Sequence, residues 1–243
     1  NAVTLPITKE DGQLEGLITT GDIAKSYMDA HDNYFLSNAR TQYRSIANTV
    51  DGTVVTGNPH GYFVRGKVVI GAAHPDKLGE FLEEDDLVIL GDRHEDHLCA
   101  IRENVSCVIV CNSAEVAENI KDAALKNDCV IIRSPLDTFT VARLINQSIP
   151  VKHIMKKDNL ITFQTDDFTD DIKDVMVKNR HRAFPVVNKH GKYIGTVSRR
   201  NLLGMKKKEL ILVDHNEKSQ AVDNIDAADI LEIIDHHRLG SLE

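Results

Sequence analysis

Two short apolar segments separated by a polar turn occur near the start of the chain, and the same arrangement returns much later. "LPITKEDGQLEGLITTGDIA" begins at Leu5, and "FPVVNKHGKYIGTVSRRNLL" begins at Phe184. Gly16 of the first stretch aligns with Gly195 of the second, an offset of 179 residues that holds without a gap. Each copy predicts a strand, a glycine-containing turn, a second strand and a hydroxyl residue that starts a helix. We interpret this match as an internal repeat.

The second copy continues upstream. "VKHIMKKDNLITFQTDDFTDDIKDVMVKNRHRAF" predicts a short turn, an extended stretch and a helix whose N-cap is Thr165 or Asp166. The second unit is therefore a β-α-β-β-α arrangement within residues 149–206, whereas the first copy, residues 1–28, holds only the C-terminal half of such a unit.

These segments resemble the CBS motif, a small nucleotide-sensing unit that works in pairs. The resemblance rests on "VKHIM", "HRAFPVVNKHGKYIGTVSRRNLL" and "AVTLPITKEDGQLEGLITTGDIA". It implies an α+β CBS pair, known as a Bateman module, whose cleft takes AMP, ADP or ATP.

The start of each predicted helix has the chemistry of a nucleotide site. The first backbone N–H groups of a helix are unpaired, and the helix dipole presents partial positive charge there. Thr19 and Ser198 therefore mark candidate phosphate sites. Asp22 and Asn201 follow three residues later, where their oxygen atoms can accept hydrogen bonds from ribose hydroxyls. The competing interpretation is that the two hydroxyl residues only cap their helices.

Charge and apolar surface extend this candidate site. Arg199 adds a cation beside the second junction, where the first copy has the neutral Thr20. Apolar residues of both copies are expected to sandwich a purine, whose edge would be read by backbone groups near Ala183. Arg180 and Arg182 either assist phosphate binding or are solvated loop charges. The predicted nucleotide-binding residues are Leu5, Pro6, Thr19, Thr20, Asp22, Arg182, Ala183, Phe184, Pro185, Thr196, Ser198, Arg199 and Asn201.

Residues 29–148 separate the two copies. Short runs rich in valine and isoleucine alternate with helical patterns there, which predicts a small α/β domain with a largely parallel sheet. "NARTQYRSIANTV" predicts a helix, and Thr138 is the predicted N-cap of the last helix. His94 and His97 are interpreted as part of a solvent-exposed helix face.

"LVILGDRHEDHLCAIRENVSCVIVCNS" resembles the DRTGG domain, mainly through its Gly91-Asp92-Arg93 turn followed by a helix. The resemblance implies an interaction and dimerisation unit, and hence a homodimer formed through the CBS and DRTGG-like domains. The expected fold class is α/β, consisting of the CBS pair with this inserted α/β domain.

The last segment, residues 207–243, changes character. "ELILVDHNEKSQAV" and "NIDAADILEIIDHHRLGS" each place carboxylates and histidines after an apolar run. Strand C-termini are where open α/β sheets bind ligands, and these side chains suit Mn²⁺ or Co²⁺ in a two-metal centre.

"VDHNE" followed by "DHHR" resembles family II inorganic pyrophosphatases of the DHH phosphoesterase superfamily. The resemblance implies that Asp214 bridges two metal ions, His237 ligates a metal ion and His236 contacts the substrate phosphates, with manganese or cobalt and magnesium as metals. The remaining ligands are expected before Asn1 and beyond residue 243. The fragment itself is therefore expected not to be catalytic, and its tail to be poorly ordered.

Composition limits the classes of partner that the chain is expected to bind. Lys+Arg is 29 and Asp+Glu is 37, so the formal charge of −8 argues against broad nucleic-acid binding. No apolar run is long enough for a membrane span. The four cysteines show no metal or disulfide spacing, which favours core packing in a reducing cytoplasm.

The sequence thus predicts the regulatory region of a metal-dependent inorganic pyrophosphatase. By resemblance, AMP or ADP inhibits, and ATP or a diadenosine polyphosphate activates. The alternatives are the regulatory part of another DHH-family nucleotide phosphoesterase, or a CBS scaffold without a ligand.

Overall fold

The structure is a computed structural model that describes residues 4–28, 32–179, 181–214, 217, 221–223 and 225–236. The chain divides into two units, Asn1–Leu160 and Ile161–Glu243. The first unit contains the first copy, the insert and the segment that leads into the second copy. The second unit contains the rest of the second copy and the tail.

The first unit combines a hairpin and a larger sheet. Its strands are β1 (Thr4–Thr8), β2 (Leu14–Thr19), β3 (Thr41–Gln42), β4 (Thr53–Thr56), β5 (Tyr62–Phe63), β6 (Val68–Ile70), β7 (Leu87–Leu90), β8 (Cys107–Val110) and β9 (Val130–Arg133). Its helices are α1 (Thr20–Met28), α2 (Phe35–Asn38), α3 (Tyr43–Thr49), α4 (Pro75–Leu78), α5 (His94–Arg102), α6 (Glu118–Lys126), α7 (Thr138–Leu144) and α8 (Val151–Ile154), with 3₁₀ turns at Gly79–Phe81 and Ile145–Ser148.

The insert forms a five-stranded sheet in the order β4-β9-β8-β7-β6. Strands β6 to β9 are parallel, and β4 pairs antiparallel with β9. All four residues of β7 are buried, because Leu87 and Ile89 pack into one apolar layer and Val88 and Leu90 into another. The expected, largely parallel α/β domain is confirmed.

Three of the cysteines belong to these layers. Cys107, Cys111 and Cys129 are buried and free, and burial raises the pKa of the Cys111 thiol to about 11 and that of Cys129 to about 12. The expected role of the cysteines in core packing is thereby confirmed for these three.

The second unit begins with the remainder of the second copy. Its elements are β10 (Phe163–Gln164), α9 (Thr169–Lys178), β11 (Ala183–Val187), β12 (Tyr193–Ser198), α10 (Arg199–Leu203), β13 (Glu209–Val213) and β14 (Asp229–Ile234), with a 3₁₀ turn at Ile225–Ala227. Phe163, Ile172, Met176, Phe184 and Leu202 form the core of this copy.

The two hairpins have the same register. Thr4 pairs with Thr19 in the first, and Ala183 pairs with Ser198 in the second. Each of these positions is shifted by the same 179 residues as the sequence repeat. The register also shifts at the corresponding place, after Ile7 and after Val186. The repeat predicted from the sequence is therefore a structural repeat.

The tail departs from expectation. We expected it to be poorly ordered, yet β13 and β14 pair as parallel strands. Both are apolar runs with strong strand propensity, and pairing gives their backbone groups hydrogen-bond partners.

Several helix starts also differ from the predictions. The helix predicted over "NARTQYRSIANTV" is α3 alone, because Thr41–Gln42 pairs as a strand with β5. The N-cap of α7 is Asp137 rather than Thr138, since the Asp137 carboxylate accepts the Thr140 N–H at 3.0 Å. Helix α9 begins after Phe168, not at Thr165 or Asp166.

One surface prediction was wrong. His97 is only 1% exposed, although we had assigned it to a solvated helix face. Its Nε2 lies 2.8 Å from the Gly91 carbonyl oxygen, and burial lowers the pKa of its imidazole. The neighbouring Asp96 is also buried, where its carboxylate pairs with Arg93 Nε at 2.7 Å.

Candidate functional site

The first candidate junction lies where β2 passes into α1. The Thr19 backbone N–H donates to Asp22 Oδ2 at 2.8 Å, and the Thr19 hydroxyl donates to the same oxygen at 2.6 Å. The Asp22 N–H donates back to Thr19 Oγ1 at 3.2 Å. This reciprocal capping holds the candidate phosphate hydroxyl and the candidate ribose acceptor together at the first turn.

A cation from a distant part of the sequence joins this junction. Lys156 Nζ lies 3.5 Å from Asp22 Oδ1. The backbone of Lys156 is fixed on β2, because Leu17 N–H donates to the Lys156 carbonyl at 2.9 Å and Lys156 N–H donates to the Leu17 carbonyl at 2.8 Å. Gly16 makes this approach possible, since a Cβ there would meet the Lys156 carbonyl oxygen at 2.7 Å.

Asp22 is held as a carboxylate. Its side chain is 15% exposed, and burial by itself raises the pKa of the carboxyl group. The hydrogen bonds from Thr19 and the charge of Lys156 outweigh burial, so the pKa lies below its ordinary value. The first junction therefore carries one negative and one positive side chain at neutral pH.

The second junction, between β12 and α10, repeats the geometry with different charges. The Ser198 N–H donates to Asn201 Oδ1 at 2.9 Å, and the Ser198 hydroxyl donates to the same oxygen at 2.5 Å. The acceptor is a neutral amide here. At both junctions the hydroxyl is therefore hydrogen-bonded to the acceptor. The capping interpretation requires this pairing, and a nucleotide site is compatible with it.

Arg199 extends from the second junction to the end of a neighbouring helix. Its Nη2 donates to the carbonyl oxygen of Met176 and, at 2.8 Å, to that of Asn179. These carbonyls lie at the C-terminal end of α9, where the helix dipole favours a cation. The guanidinium nitrogens other than Nη2 are not used in these two bonds.

The predicted apolar walls differ in accessibility. Leu5 is half exposed and Pro6 is half buried. Phe184, in contrast, is 1% exposed, because its ring packs on Phe163 with centroids 5.3 Å apart. Pro185 is buried as well. Phe184 and Pro185 therefore offer a ligand mainly backbone atoms in this arrangement.

The remaining predicted residues lie near the two hairpins. Thr20, Arg182 and Thr196 are exposed, and Ala183 is half buried at the start of β11. The Thr196 hydroxyl is 2.9 Å from the Tyr193 hydroxyl. Arg180 lies outside the described residues.

A second cluster of polar side chains lies at the C-terminal ends of β13 and β14. Asp214, Asp235 and His236 each offer a ligand atom, and these atoms lie within 4.8 Å of one another. His236 Nδ1 is 3.1 Å from Asp214 Oδ1. Carboxylate oxygen and imidazole nitrogen suit Mn²⁺ or Co²⁺, so the donor set fits the expected metals. His237 lies outside the described residues.

Comparisons with known proteins relate the chain, including the two junctions and the carboxylate–histidine cluster, to inorganic pyrophosphatases. A DRTGG domain model matches residues 45–148, and a CBS domain model matches residues 151–208. The chain is 36% identical over 243 residues to the cobalt-dependent inorganic pyrophosphatase of Clostridium perfringens, covering 100% of this chain and 44% of that relative. It is 31% identical over 238 residues to a probable manganese-dependent inorganic pyrophosphatase of Thermotoga maritima, covering 98% of this chain and 43% of that relative.

A solved structure decides the assignment. The CBS and DRTGG domains of the regulatory region of the Clostridium perfringens pyrophosphatase, complexed with the activator diadenosine tetraphosphate, match with a TM-score of 0.77 and 34% identity. The match covers 81% of this chain and 85% of that chain. This chain belongs to the CBS–DRTGG regulatory regions of inorganic pyrophosphatases. The resemblances to CBS and DRTGG domains and the α/β fold class are thereby confirmed.

The CBS–DRTGG regulatory region spans less than half the length of the curated pyrophosphatases that it matches. Among the described residues, no helix has both the length and the apolar character needed to cross a membrane.

Sequence reasoning about this regulatory region missed one of the side chains described above. Lys156 is separated from Asp22 by the whole insert, and no local pattern links the two residues. Asp235 belongs to the predicted group of carboxylates and histidines, since it directly follows the apolar run of β14 just as Asp214 follows that of β13, but the resemblance gave it no ligand role of its own.

Proposed function

We propose that this chain binds adenine nucleotides and thereby regulates a metal-dependent inorganic pyrophosphatase. The observation that carries the proposal is the pair of junctions with one hairpin register, each presenting a hydroxyl and an acceptor three residues later. The similar Clostridium perfringens region was solved with diadenosine tetraphosphate, whose two adenosines are joined by a phosphate chain. That complex supports a nucleotide ligand for a chain with two equivalent junctions.

In this proposal different residues contact the ribose and the phosphate of the nucleotide. Asp22 and Asn201 accept hydrogen bonds from ribose hydroxyls, and Thr19 and Ser198 donate to phosphate once they release their capping partners. The residues proposed to bind nucleotide are Leu5, Pro6, Thr19, Thr20, Asp22, Arg182, Ala183, Phe184, Pro185, Thr196, Ser198, Arg199 and Asn201.

We propose further that AMP and ADP inhibit, whereas ATP and diadenosine polyphosphates activate. A ligand shifts a conformational equilibrium only by its different affinity for the two states. Coupling of this kind is typically about 1–3 kcal/mol. Ligands with one phosphate and with several can act in opposite directions if the two states hold phosphate groups differently.

The proposal includes the assembly and its surroundings. We divide the chain into residues 1–28, 29–148, 149–206 and 207–243, and we propose a homodimer formed through the CBS and DRTGG domains. The four cysteines carry free thiols, which suits a reducing cytoplasm.

In the complete pyrophosphatase, Asp214 and His237 would hold manganese or cobalt, with magnesium as a further metal. Such ions activate water for attack on phosphorus. The side chain of His236 would contact the substrate phosphates, and the Asp214 carboxylate beside it would hold its imidazole in place.

Calorimetry with AMP and diadenosine tetraphosphate tests the nucleotide site. Asn201→Ala removes the ribose acceptor of the second junction, and we expect the AMP dissociation constant to rise about tenfold, the cost of one to two hydrogen bonds. Asn48→Ala changes an exposed asparagine on α3 and should leave binding unchanged. Equal affinity of the Asn201→Ala variant and the unmodified chain would remove this site assignment.

A further inference from the structure

The two junctions differ in charge in a way that matters for an anionic ligand. The second has a neutral acceptor, Asn201, and a cation, Arg199, directly after Ser198. The first has a carboxylate, Asp22, and the neutral Thr20 in the place of the arginine. On these residues alone, a phosphate group would be attracted to the second junction and repelled by the first.

Lys156 changes this balance. Its ammonium lies 3.5 Å from Asp22 Oδ1, on the carboxylate that also accepts the Thr19 hydroxyl. The cation therefore lies beside the candidate phosphate hydroxyl, although it comes from the segment after the insert. With Lys156 counted, the first junction is neutral instead of negative.

The backbone of Lys156 is fixed, but its side chain can move. Two hydrogen bonds with Leu17 hold the main chain, and Met155 beside it is buried. The Lys156 side chain is 61% exposed, and an ion pair with that exposure is weakly held. The ammonium can therefore leave Asp22 Oδ1 for a stronger partner without disturbing the strand.

We infer that Lys156 supplies the phosphate-binding cation of the first junction, as the counterpart of Arg199 at the second. The inference rests on the proposed nucleotide-binding function. When a nucleotide binds, a ribose hydroxyl takes Asp22 Oδ1 and the ammonium moves to the phosphate group. The exchange replaces an ion pair with a charge-assisted bond to phosphate, and the Asp22 carboxylate keeps hydrogen bonds from neutral donors, those of the Thr19 backbone N–H and of the ribose hydroxyl.

The test compares AMP with adenosine, which lacks the phosphate group. For Lys156→Gln, we expect the dissociation constant of AMP at one of its binding steps to rise about tenfold by calorimetry, and that of adenosine to change less than about twofold. Lys156→Arg, which keeps the charge, should restore most of the AMP affinity. Lys157→Gln removes the adjacent exposed lysine and should leave both ligands unaffected.

The possible results distinguish failure of this inference from failure of the proposed nucleotide-binding function. If the unmodified chain binds no adenine nucleotide, both the function and the inference fail. If it binds AMP and Lys156→Gln binds equally well, only the inference is overturned. Equal weakening of AMP and adenosine also overturns it, because Lys156 would then act on Asp22 rather than on phosphate.

Discussion

Replacing Gly16 by alanine is expected to loosen the contact between β2 and the segment that follows α8. A Cβ at this position would lie 2.7 Å from both the Lys156 carbonyl oxygen and Met155 Sδ. Real Cβ atoms do not approach a backbone oxygen so closely, so the segment must move away. The two hydrogen bonds between Leu17 and Lys156 would lengthen or break as it moves.

The structure sets the size of the effect. Two backbone hydrogen bonds contribute about 1 kcal/mol each, and an overpacked contact costs about 1–3 kcal/mol. Since moving the segment relieves the overpacking, the two costs do not add, and we expect the free energy of local opening to fall by about 2 kcal/mol. That loss corresponds to roughly 30-fold faster hydrogen exchange at the Leu17 and Lys156 amides.

The repeat provides a matched control. Gly195 occupies the equivalent strand position in the second copy, but no heavy atom of the described residues lies within 4 Å of its Cβ position. Alanine there fits open space and restricts the unfolded chain, so stability should be unchanged or slightly higher. Amide exchange measured by mass spectrometry distinguishes the two variants. Equal acceleration in both would refute the steric argument, as would no acceleration with Gly16→Ala.

Two further changes test the insert and the first junction. Ser134→Ala should lower the free energy of unfolding of the insert by about 1–3 kcal/mol, because the buried hydroxyl donates to the Val50 carbonyl at 2.6 Å and accepts the Leu136 N–H at 3.1 Å. Urea unfolding measures the loss, and Ser113→Ala, which changes an exposed serine, should alter the midpoint little. Equal midpoints for the two variants would contradict the expected loss. The depressed pKa of Asp22 means that its stabilising contribution is present above the ordinary value of 3.8 and is lost as the pH falls through the lower folded-state pKa. The midpoint temperature of thermal unfolding should therefore fall less steeply with decreasing pH for Asp22→Asn than for the unmodified chain. Identical slopes of midpoint temperature against pH would count against the ionised carboxylate.

Local patterns predicted the repeat and the sheet. The alternation of apolar and polar residues around Gly16 and Gly195 was sufficient to predict the two strands of each hairpin, because side-chain direction in a strand has a period of two. The continuous apolar runs of β7 and β8 likewise predicted a sheet covered on both faces.

Tertiary contacts account for what the sequence did not predict. His97 looks solvated in the string "RHEDH", but the turn at Gly91 brings a carbonyl oxygen to its ring. The Lys156–Asp22 pair depends on how the chain returns after the insert, which no window of neighbouring residues encodes. The tail was misjudged because its two strands, 20 residues apart at Glu209 and Asp229, satisfy each other's backbone groups.

The contact between β2 and the segment after α8 affects how the insert is connected to the rest of the chain. Helices α1 and α8 lie against each other, so the insert leaves and re-enters its host at neighbouring points. A domain whose ends meet in this way can be gained or lost at little thermodynamic cost to the host, since closing a longer loop adds only a slowly growing entropy. The CBS copies and the insert are in this sense separable parts of the chain.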